Sequence, residues 1–266
     1  MAIITLLTDF GIQDEYVGVL KGVILGIDAT ATIVDISHGI AAQDIVAAAH
    51  TLKAAYHHFP GRTVHAAIVD PGVGTGRGII AAEADDGHRF IAPDNGLLAP
   101  VLTASGSLAI HRVENETLFR HPVSRTFHGR DIIAPVAAHL SAGRPLADVG
   151  PEVGMADIHC LEDGGVNRVS PNVIEGRIIS IDHFGNLITN IMARDLVDSD
   201  PDHITLVVGD VTISGLCTTY AQGPPEAPMA VVGSRDTIEI AVKEGSAASL
   251  LKLKRGAVVQ AIVERR

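Results

Sequence analysis

The stretch that decides the fold is Ile3–Thr8, with the sequence IITLLT, together with the turn sequence DFG that follows it at positions 9–11. Six uncharged residues rich in Ile and Leu predict a strand that is buried on both faces. Asp14 then precedes a segment with helical apolar spacing, Tyr16–Ile27, which predicts a helix capped by an Asp. A buried strand that leads directly into a helix is the first unit of a layered α/β sheet.

The alternation of strands and helices continues from this unit as far as residue 142. Further strands are predicted at residues 32–36, 63–69, 78–84, 88–91 and 108–113, and further helices at residues 45–59, 97–102 and 131–142. This order of elements is typical of a sheet whose faces are covered by helices.

The character of the sequence changes after residue 152. Residues 154–172 are loop-like, with Gly-Gly at 164–165 and Ser-Pro-Asn at 170–172, and no long helix is predicted beyond them. Short alternating strands follow at residues 173–181, 187–191, 204–208, 211–214, 229–232, 237–242 and 257–263. We therefore predict an N-terminal α/β domain over residues 1–170 and a smaller all-β domain over residues 171–266.

Composition and charge exclude several classes of partner. The net charge of -11 leaves no basic excess for a nucleic acid or an anionic membrane surface, so we expect neither as a partner. No apolar run approaches the ~20 residues of a membrane span, and the apolar N-terminal stretch is too short for a signal peptide. Two cysteines, Cys160 and Cys217, do not make a disulfide framework. These features predict a cytoplasmic protein.

Two carboxylates are predicted at one edge of the N-terminal sheet. Asp9 ends the first strand and Asp70 ends the third. Side chains beyond the carboxyl ends of parallel strands meet at the edge where α/β proteins bind ligands. Either residue alone is also an ordinary turn aspartate. Because two such positions occur in one sheet, the pair favours a functional site.

Two further segments carry candidate functional residues. Residues 70–78, DPGVGTGRG, contain four glycines in nine residues, which indicates tight turns or backbone close to a ligand. The segment lacks the Lys-Ser/Thr end of a Walker loop, and it leads into a strand rather than the helix of a dinucleotide-binding motif. Residues 126–131, TFHGRD, open a predicted helix and carry His128, which by itself could equally be a capping or packing residue. No spacing typical of zinc ligands occurs, so we expect no metal.

Five segments occur in the order found in the S-adenosylmethionine (SAM) hydroxide adenosyltransferases, and the chain resembles this family over nearly its whole length. They are TDFG (8–11), VDPGVG (69–74), APDNGLL (92–98), TFHGRD (126–131) and IDHFGN (181–186). The family is related to the SAM-dependent fluorinase and chlorinase. The resemblance implies an N-terminal α/β domain and a barrel-like C-terminal β domain. It also implies a homotrimer whose active sites lie between the N-terminal domain of one subunit and the C-terminal domain of the next.

The resemblance further implies roles for individual residues. The water-activating set of the family matches Asp70, Arg77 and His128. The matches to substrate-binding residues are Asp9 for the ribose hydroxyls, Asp14 and Asp182 for the methionine amine, Ser234 and Arg235 for the methionine carboxylate, Asn186, Glu239 and Val242 for adenine, and Phe184 and Tyr220 as aromatic walls. The stretch after Val242 departs from the fluorinase, which has Arg-Asn in this region, whereas this chain continues with Lys-Glu-Gly and differs in length.

The implied reaction is the hydrolysis of SAM to adenosine and L-methionine. A sulfonium is already a good leaving group, because methionine departs as a neutral thioether. Neither a general acid nor a cofactor is therefore expected. Free water is a weak nucleophile, and a carboxylate such as Asp70 can polarise it for in-line attack at C5′ of the ribose.

Three other functions are alternatives to SAM hydrolysis. A SAM halogenase such as the chlorinase is disfavoured, since the halogenases carry Tyr at the position that matches Asp70. The fluorinase also has Ser at the position of Gly129 and a long insertion where this chain has a short connection, residues 83–89. A sensor that only binds SAM or adenosine would not need a set of residues that polarises water. A metal-dependent hydrolase would need a ligand spacing that the sequence lacks.

Overall fold

The computed structural model describes residues 2–105, 108–161, 165–196 and 200–263, and the chain divides into two units, Met1–Leu161 and Glu162–Arg266. The first unit is a layered α/β domain and the second is an all-β domain with one short helix, which confirms the predicted fold class. The predicted domain boundary, near residue 170, lies inside the second unit, where residues Asn167–Ser170 form a strand of its sheet.

The N-terminal unit alternates strands with α-helices. In chain order they are β1 (Ile3–Thr8), α1 (Tyr16–Ile27), β2 (Thr32–Ser37), α2 (Ile45–Ala55), β3 (Val64–Ile68), β4 (Ile79–Ala84), β5 (Arg89–Pro93), α3 (Ala99–Ala104), β6 (Leu108–Arg112) and α4 (Ala134–Ser141). Among the described residues, none of the helices in either unit has the length and apolar character that a bilayer crossing requires.

The six strands of this unit form one sheet with the order β2-β1-β3-β5-β4-β6. The first four in this order run parallel, whereas β4 is antiparallel to both of its neighbours. Thr8 at the end of β1 is paired with Ile68 at the end of β3. The residues that follow these two strands, including Asp9 and Asp70, therefore leave the sheet at the same edge.

Both faces of the N-terminal sheet are buried under helices. Along β1, Ile4 and Leu6 pack into one apolar cluster with Leu20 of α1, whereas Leu7 packs into the opposite cluster with Leu52 of α2. This alternation follows the period of two of a strand. It explains why β1 reads as a nearly continuous apolar run.

Three of the predicted helices differ from the structure at their ends. The helix predicted at 45–59 ends as an α-helix at Ala55 and continues as a 3-10 turn, Tyr56–His58. The helix predicted at 97–102 begins at Ala99. The helix predicted at 131–142 begins with a π-helical turn, Gly129–Ile133, before α4. In that turn the buried carboxylate of Asp131 accepts a hydrogen bond from the Ser124 N–H and so ties the helix start to the preceding loop.

The C-terminal unit consists of short strands and one short helix. They are β7 (Asn167–Ser170), β8 (Val173–Ile181), β9 (Leu187–Met192), β10 (Ile204–Val208), β11 (Val211–Ser214), β12 (Leu216–Cys217), β13 (Pro228–Val232), β14 (Thr237–Val242), α5 (Ala247–Leu251) and β15 (Val258–Val263). The strand order is β11-β10-β15-β8-β9-β14-β13-β12, with β7 paired to β8. Since β11 also lies against β13, the sheet curls into a barrel-like form around one apolar core.

Candidate active site

The loops at the carboxyl edge of the N-terminal sheet surround a cavity of about 430 Å³. Three of the predicted site residues line it, namely Asp9, Asp70 and His128. Three aromatic rings, Phe10, Tyr16 and Phe127, form much of its apolar wall, with ring centroids 5.3 to 5.9 Å apart. Phe127 meets the other two edge to face, and Phe10 and Tyr16 are tilted against each other. We call this space the N-terminal cavity.

The glycine-rich segment after β3 folds back so that Arg77 reaches Asp70. The Val73 N–H donates to the Asp70 carbonyl, and the Thr75 N–H donates to the Gly72 carbonyl, which makes two successive turns. Gly74 has a positive φ of 76° and lies against the backbone carbonyl of Arg125, where a Cβ would overlap it. The positive φ and the close approach to Arg125 therefore account for the glycine at position 74.

Asp70, Arg77 and His128 form one connected group. The Nε of Arg77 donates to Oδ1 of Asp70 at 2.8 Å, and one terminal nitrogen of the same guanidinium donates to Oδ2. That terminal nitrogen also lies 3.1 Å from Nδ1 of His128. The side chains of Asp70 and Arg77 are both almost completely buried. A carboxylate, a guanidinium and an imidazole are thus held together at the wall of the cavity.

The contact with Arg77 determines the tautomer of His128. A guanidinium can only donate, so Nδ1 of the imidazole must accept and the proton of the neutral ring lies on Nε2. Burial lowers the pKa of His128 below its usual 6.5, and the positive charge of Arg77 lowers this pKa further, against the opposing effect of Asp70. At neutral pH, His128 is therefore an uncharged ring that can donate one hydrogen bond through Nε2.

Asp9 is held at the cavity by a single contact. Its Oδ2 accepts a hydrogen bond from the backbone N–H of Gln43 at 2.8 Å, which is the carboxylate's only protein partner within the described part of the chain. Gln43 has a positive φ of 65°, which is uncommon for a residue with a side chain, and it also lines the cavity. An ionised carboxylate offers about four lone-pair positions. Asp9 can therefore accept further hydrogen bonds from a ligand.

A second cavity, of about 920 Å³, lies in the C-terminal unit; we call it the C-terminal cavity. Eight predicted site residues line it: Asp182, Phe184, Asn186, Tyr220, Ser234, Arg235, Glu239 and Val242. Phe184 is 73% exposed on its turn, so its ring is available to cover a ligand or a partner.

The turn between β8 and β9, residues 182–186, fixes the orientation of Asn186. Oδ1 of Asp182 accepts hydrogen bonds from the N–H groups of Phe184 and Asn186, and Oδ2 accepts the side-chain Nδ2 of Asn186 at 2.8 Å. Because a carboxylate only accepts, the nearby amide atom must be the NH2 group. The oxygen of the Asn186 amide is left to accept a hydrogen bond from a ligand.

Tyr220 and Glu239 are paired across the same cavity. The Tyr220 hydroxyl donates to Oε2 of Glu239 at 2.8 Å, and Glu239 is buried. Burial and this hydrogen bond raise the pKa of Tyr220 to about 12. The phenol therefore stays protonated and holds the buried carboxylate of β14 in a fixed position.

Two predicted site residues, Asp14 and Arg77, line neither cavity, although Arg77 contacts Asp70 and His128, which line the first. Asp14 is exposed just before α1 and does not line the N-terminal cavity. The unpredicted lining residues include Phe10, Tyr16, Gln43 and Phe127 in the first cavity and Lys243 and Glu244 in the second. Phe10 and Phe127 lie inside the quoted sequence motifs, which was the available signal, whereas Gln43 is placed only by the fold. No group of three or more His, Cys, Asp or Glu side chains is arranged to hold a metal ion within residues 2–105, 108–161, 165–196 and 200–263.

Comparison with known proteins agrees with both halves of this arrangement. The family model for the SAM hydroxide adenosyltransferase N-terminal domain matches residues 4–150, and the model for the C-terminal domain matches residues 176–260. A protein named (R)-S-adenosyl-L-methionine hydrolase, from Salinispora arenicola, is 33% identical over 95% of each chain. A protein named fluorinase, from an Actinoplanes species, is 30% identical over 97% of this chain and 96% of its own.

A solved structure of an uncharacterized conserved protein from Thermotoga maritima superposes on this fold with a TM-score of 0.88. It is 35% identical in sequence, over 97% of this chain and 99% of its own. Both domain models match in sequence order and together cover most of the chain, so the chain belongs to the SAM hydroxide adenosyltransferase family.

Proposed function

We propose that this protein hydrolyses SAM to adenosine and L-methionine by attack of a polarised water at C5′ of the ribose. The observation that carries the proposal is the connected group of Asp70, Arg77 and His128 at the wall of the cavity that also contains Asp9. The hydrolase relative is named for the (R) form of the sulfonium, and we propose the same form as the substrate here.

Each member of the group has a distinct part in the proposed reaction. A lone pair of Asp70 accepts a hydrogen bond or the proton from the attacking water. The Nε2–H of His128 donates to the oxygen as negative charge develops on it. Arg77 keeps both partners in place and adds positive charge beside them. Methionine departs as a neutral thioether, so no residue has to protonate it.

The two cavities supply complementary parts of a SAM site. In the N-terminal cavity, Asp9 accepts the ribose hydroxyls. In the C-terminal cavity, the amide oxygen of Asn186 accepts a hydrogen bond from the amino group of adenine. Ser234 and Arg235 bind the methionine carboxylate. Asp182 already accepts three hydrogen bonds from its own turn, so its main part is to orient Asn186. Glu239 and Val242 complete the adenine pocket, with Phe184 and Tyr220 as its walls.

We propose a homotrimer in which the N-terminal cavity of one subunit meets the C-terminal cavity of the next. Each cavity alone contains binding groups for only part of the substrate, which supports a site shared between subunits. The 73% exposure of Phe184 also fits a side chain that is covered on assembly. Asp14 is exposed near the first cavity's Tyr16, and we propose that it approaches the methionine amine in the assembled site.

The reaction is proposed to need no cofactor, because the sulfonium requires no Lewis acid to leave. Full activity in the presence of a strong chelator is the expected result. Loss of activity on chelation, with recovery on addition of one divalent metal, would show that a metal takes part.

A halogenase activity is the second candidate because a fluorinase is among the relatives. Asp70 places a negative charge where a halide would have to sit, and two unit charges ~4 Å apart repel by about 4 kcal/mol at an effective dielectric of 20. Arg77 offsets part of this repulsion. Gly129 lies so close to Ile68 that a Cβ would be 3.3 Å from two of its carbons, so a serine at this position would be crowded. The negative charge of Asp70 therefore favours water over a halide as the nucleophile.

The direct test identifies the nucleoside formed from SAM in oxygen-18 water, with and without chloride, using the (R) and (S) sulfonium forms separately. We expect adenosine labelled at its 5′ oxygen, from the (R) form, in both conditions. Formation of 5′-chloro-5′-deoxyadenosine as the main product would identify a halogenase. Tight binding of adenosine without any turnover of either form would identify a sensor.

A further inference from the structure

The turn that carries Asp9 is held on both sides by one buried histidine outside the cavity. His38 follows β2, and its Nδ1 lies 2.8 Å from the hydroxyl oxygen of Thr8, which is the residue just before Asp9. Its backbone carbonyl accepts the N–H of Gly11 at 2.8 Å. The Thr8 oxygen also accepts the Phe10 N–H at 3.2 Å. The backbone is therefore fixed immediately before and after Asp9.

This arrangement is buried and is supported from the surface. Thr8 is completely buried and His38 is 6% exposed. Nε2 of His38 lies 3.2 Å from Oδ1 of Asp35, although the approach is not aligned as a hydrogen bond, so we treat this contact as electrostatic. Lys21 of α1 donates to the other oxygen of Asp35 at 2.6 Å. Burial would raise the pKa of Asp35, but Lys21 and His38 outweigh it and hold that pKa below its usual value.

The direction of the hydrogen bonds is set by the groups at each end. The negative charge of the Asp35 carboxylate, 3.2 Å from Nε2, favours the ring tautomer that carries its proton on Nε2. Nδ1 is then an acceptor, and the Thr8 hydroxyl donates to it. The same hydroxyl oxygen accepts the Phe10 N–H, so the donor and acceptor sites of Thr8 are both used. The Thr8 side chain cannot rotate without losing a buried hydrogen bond.

We infer that His38 is a positioning residue for recognition of the ribose diol, acting through Thr8 on the carboxylate of Asp9. The inference rests on the proposed function, in which Asp9 accepts both ribose hydroxyls. Accepting two adjacent hydroxyls requires a defined carboxylate orientation. The carboxylate has only one protein hydrogen bond of its own among the described residues, so the backbone on either side has to supply that orientation.

The test compares the affinities of adenosine and 2′,3′-dideoxyadenosine, measured by titration calorimetry. The dideoxy ligand lacks the two hydroxyls, so its binding does not depend on the orientation of Asp9. The first pair of variants is Thr8→Val, which removes the hydroxyl, and Thr8→Ser, which keeps it. The second pair is His38→Phe, which removes both ring nitrogens, and His38→Asn, whose amide can replace Nδ1. Thermal melting checks that each variant is folded.

We expect Thr8→Val and His38→Phe to weaken adenosine binding by about ten-fold, the scale of one hydrogen bond to a charged group, with dideoxyadenosine affinity nearly unchanged. Thr8→Ser and His38→Asn should keep most of the preference for adenosine. If a variant at one of the two positions does not fold, the pair of variants at the other position tests the inference. An equal loss of affinity for both ligands, or no loss for either, would overturn the inference.

Two further measurements separate this inference from the proposal on which it rests. Wild-type protein should prefer adenosine to its dideoxy analogue, and Asp9→Ala should abolish that preference. If the wild type shows no preference, the ribose role of Asp9 and the inference are both wrong. If the wild type and Asp9→Ala behave as expected while Thr8→Val and His38→Phe keep the preference, only the role of His38 is wrong.

Discussion

Arg77 donates to both carboxylate oxygens of Asp70, through Nε and through one terminal nitrogen. The two residues are only seven positions apart, on either side of glycine-rich turns, and both side chains are almost completely buried. Because the same terminal nitrogen reaches Nδ1 of His128, a single guanidinium sets the positions of the proposed proton acceptor and the proposed donor.

The first prediction concerns the contacts of the Arg77 guanidinium with Asp70 and His128. Arg77→Lys keeps the positive charge but cannot bridge both oxygens of Asp70 and contact His128 as well. We expect kcat for SAM hydrolysis to fall by about 10²-fold, the scale of losing one stabilising donor in an active site. Adenosine affinity should change little, because Arg77 does not line the N-terminal cavity. Single-turnover kinetics and calorimetry measure the two quantities, with Arg144→Lys at an exposed ion pair as a control. Unchanged kcat in Arg77→Lys would contradict this role.

The second prediction concerns pH. Burial and the charge of Arg77 hold the pKa of His128 below 6.5, so the ring is neutral above that pH and gains a proton only in more acidic solution. Protonation would place a hydrogen on Nδ1 and remove the acceptor for Arg77. We therefore expect kcat/KM to be constant near neutral pH and to fall on the acid side with an apparent pKa below 6.5. His128→Asn should be slower and lack this acid limb. A fall in kcat/KM centred at or above pH 6.5 would contradict the assignment of this titration to His128.

The sequence predicts much of the framework because the relevant signals are local. The apolar run of β1 and the alternating pattern of β8 identify these strands, and parallel β1 and β3 place Asp9 and Asp70 at one edge. In contrast, β7 and β12 have only four and two residues, and they exist through pairing with β8 and β13. A pattern that short carries no signal of its own.

The details of the site depend on contacts between distant residues, which a sequence alone does not show. Arg77 and His128 meet across 51 positions, and His38 meets Thr8 across 30. The motifs identify which residues are candidates, but not that Asp182 uses its carboxylate to orient Asn186. Hydrogen-bond direction, tautomer and cavity lining all require the fold.

The third prediction concerns acid stability and a buried histidine pair outside the site. His65 is completely buried, and its Nε2 lies 3.1 Å from Nδ1 of His88. Burial, followed by repulsion from His88, lowers the pKa of His65 to about 3. The unfolded chain therefore binds this proton near pH 6.5 while the folded chain does not, so stability is lost as pH falls from 6.5 towards 3.

Replacing His65 by Gln removes the titrating group while keeping a polar side chain for its neighbours. We expect the unfolding free energy of His65→Gln to depend less steeply on pH between 6 and 4, by at most about 1.4 kcal/mol per pH unit. The variant should be less stable than wild type at pH 7, since hydrogen bonds with Thr5 and His88 are disturbed. Urea denaturation at several pH values gives both quantities. Parallel pH dependences for the two proteins would rule out His65 as the cause.

The last prediction tests whether the active site is shared between subunits. Asp70→Asn inactivates the N-terminal cavity, because an amide cannot take a proton from water. Asn186→Ala damages the C-terminal cavity, where the amide oxygen is the proposed adenine acceptor. Each variant alone should form trimers with little or no activity. If a site combines the N-terminal cavity of one subunit with the C-terminal cavity of the next, some sites in a mixed trimer contain both intact halves.

Random mixing in equal amounts pairs an intact N-terminal half with an intact C-terminal half at about one site in four, so co-expression should restore about a quarter of wild-type activity. Sites formed within one subunit give a different result, since every subunit then carries one damaged half and the mixture stays inactive. Distinct affinity tags verify that mixed trimers form, light scattering checks their mass, and activity is assayed on the unfractionated mixture. Double-variant subunits, carrying Asp70→Asn and Asn186→Ala together and mixed with wild type, are the matched control. Random mixing also leaves that control about a quarter of its sites intact if sites are shared, but half of them if each site lies within one subunit.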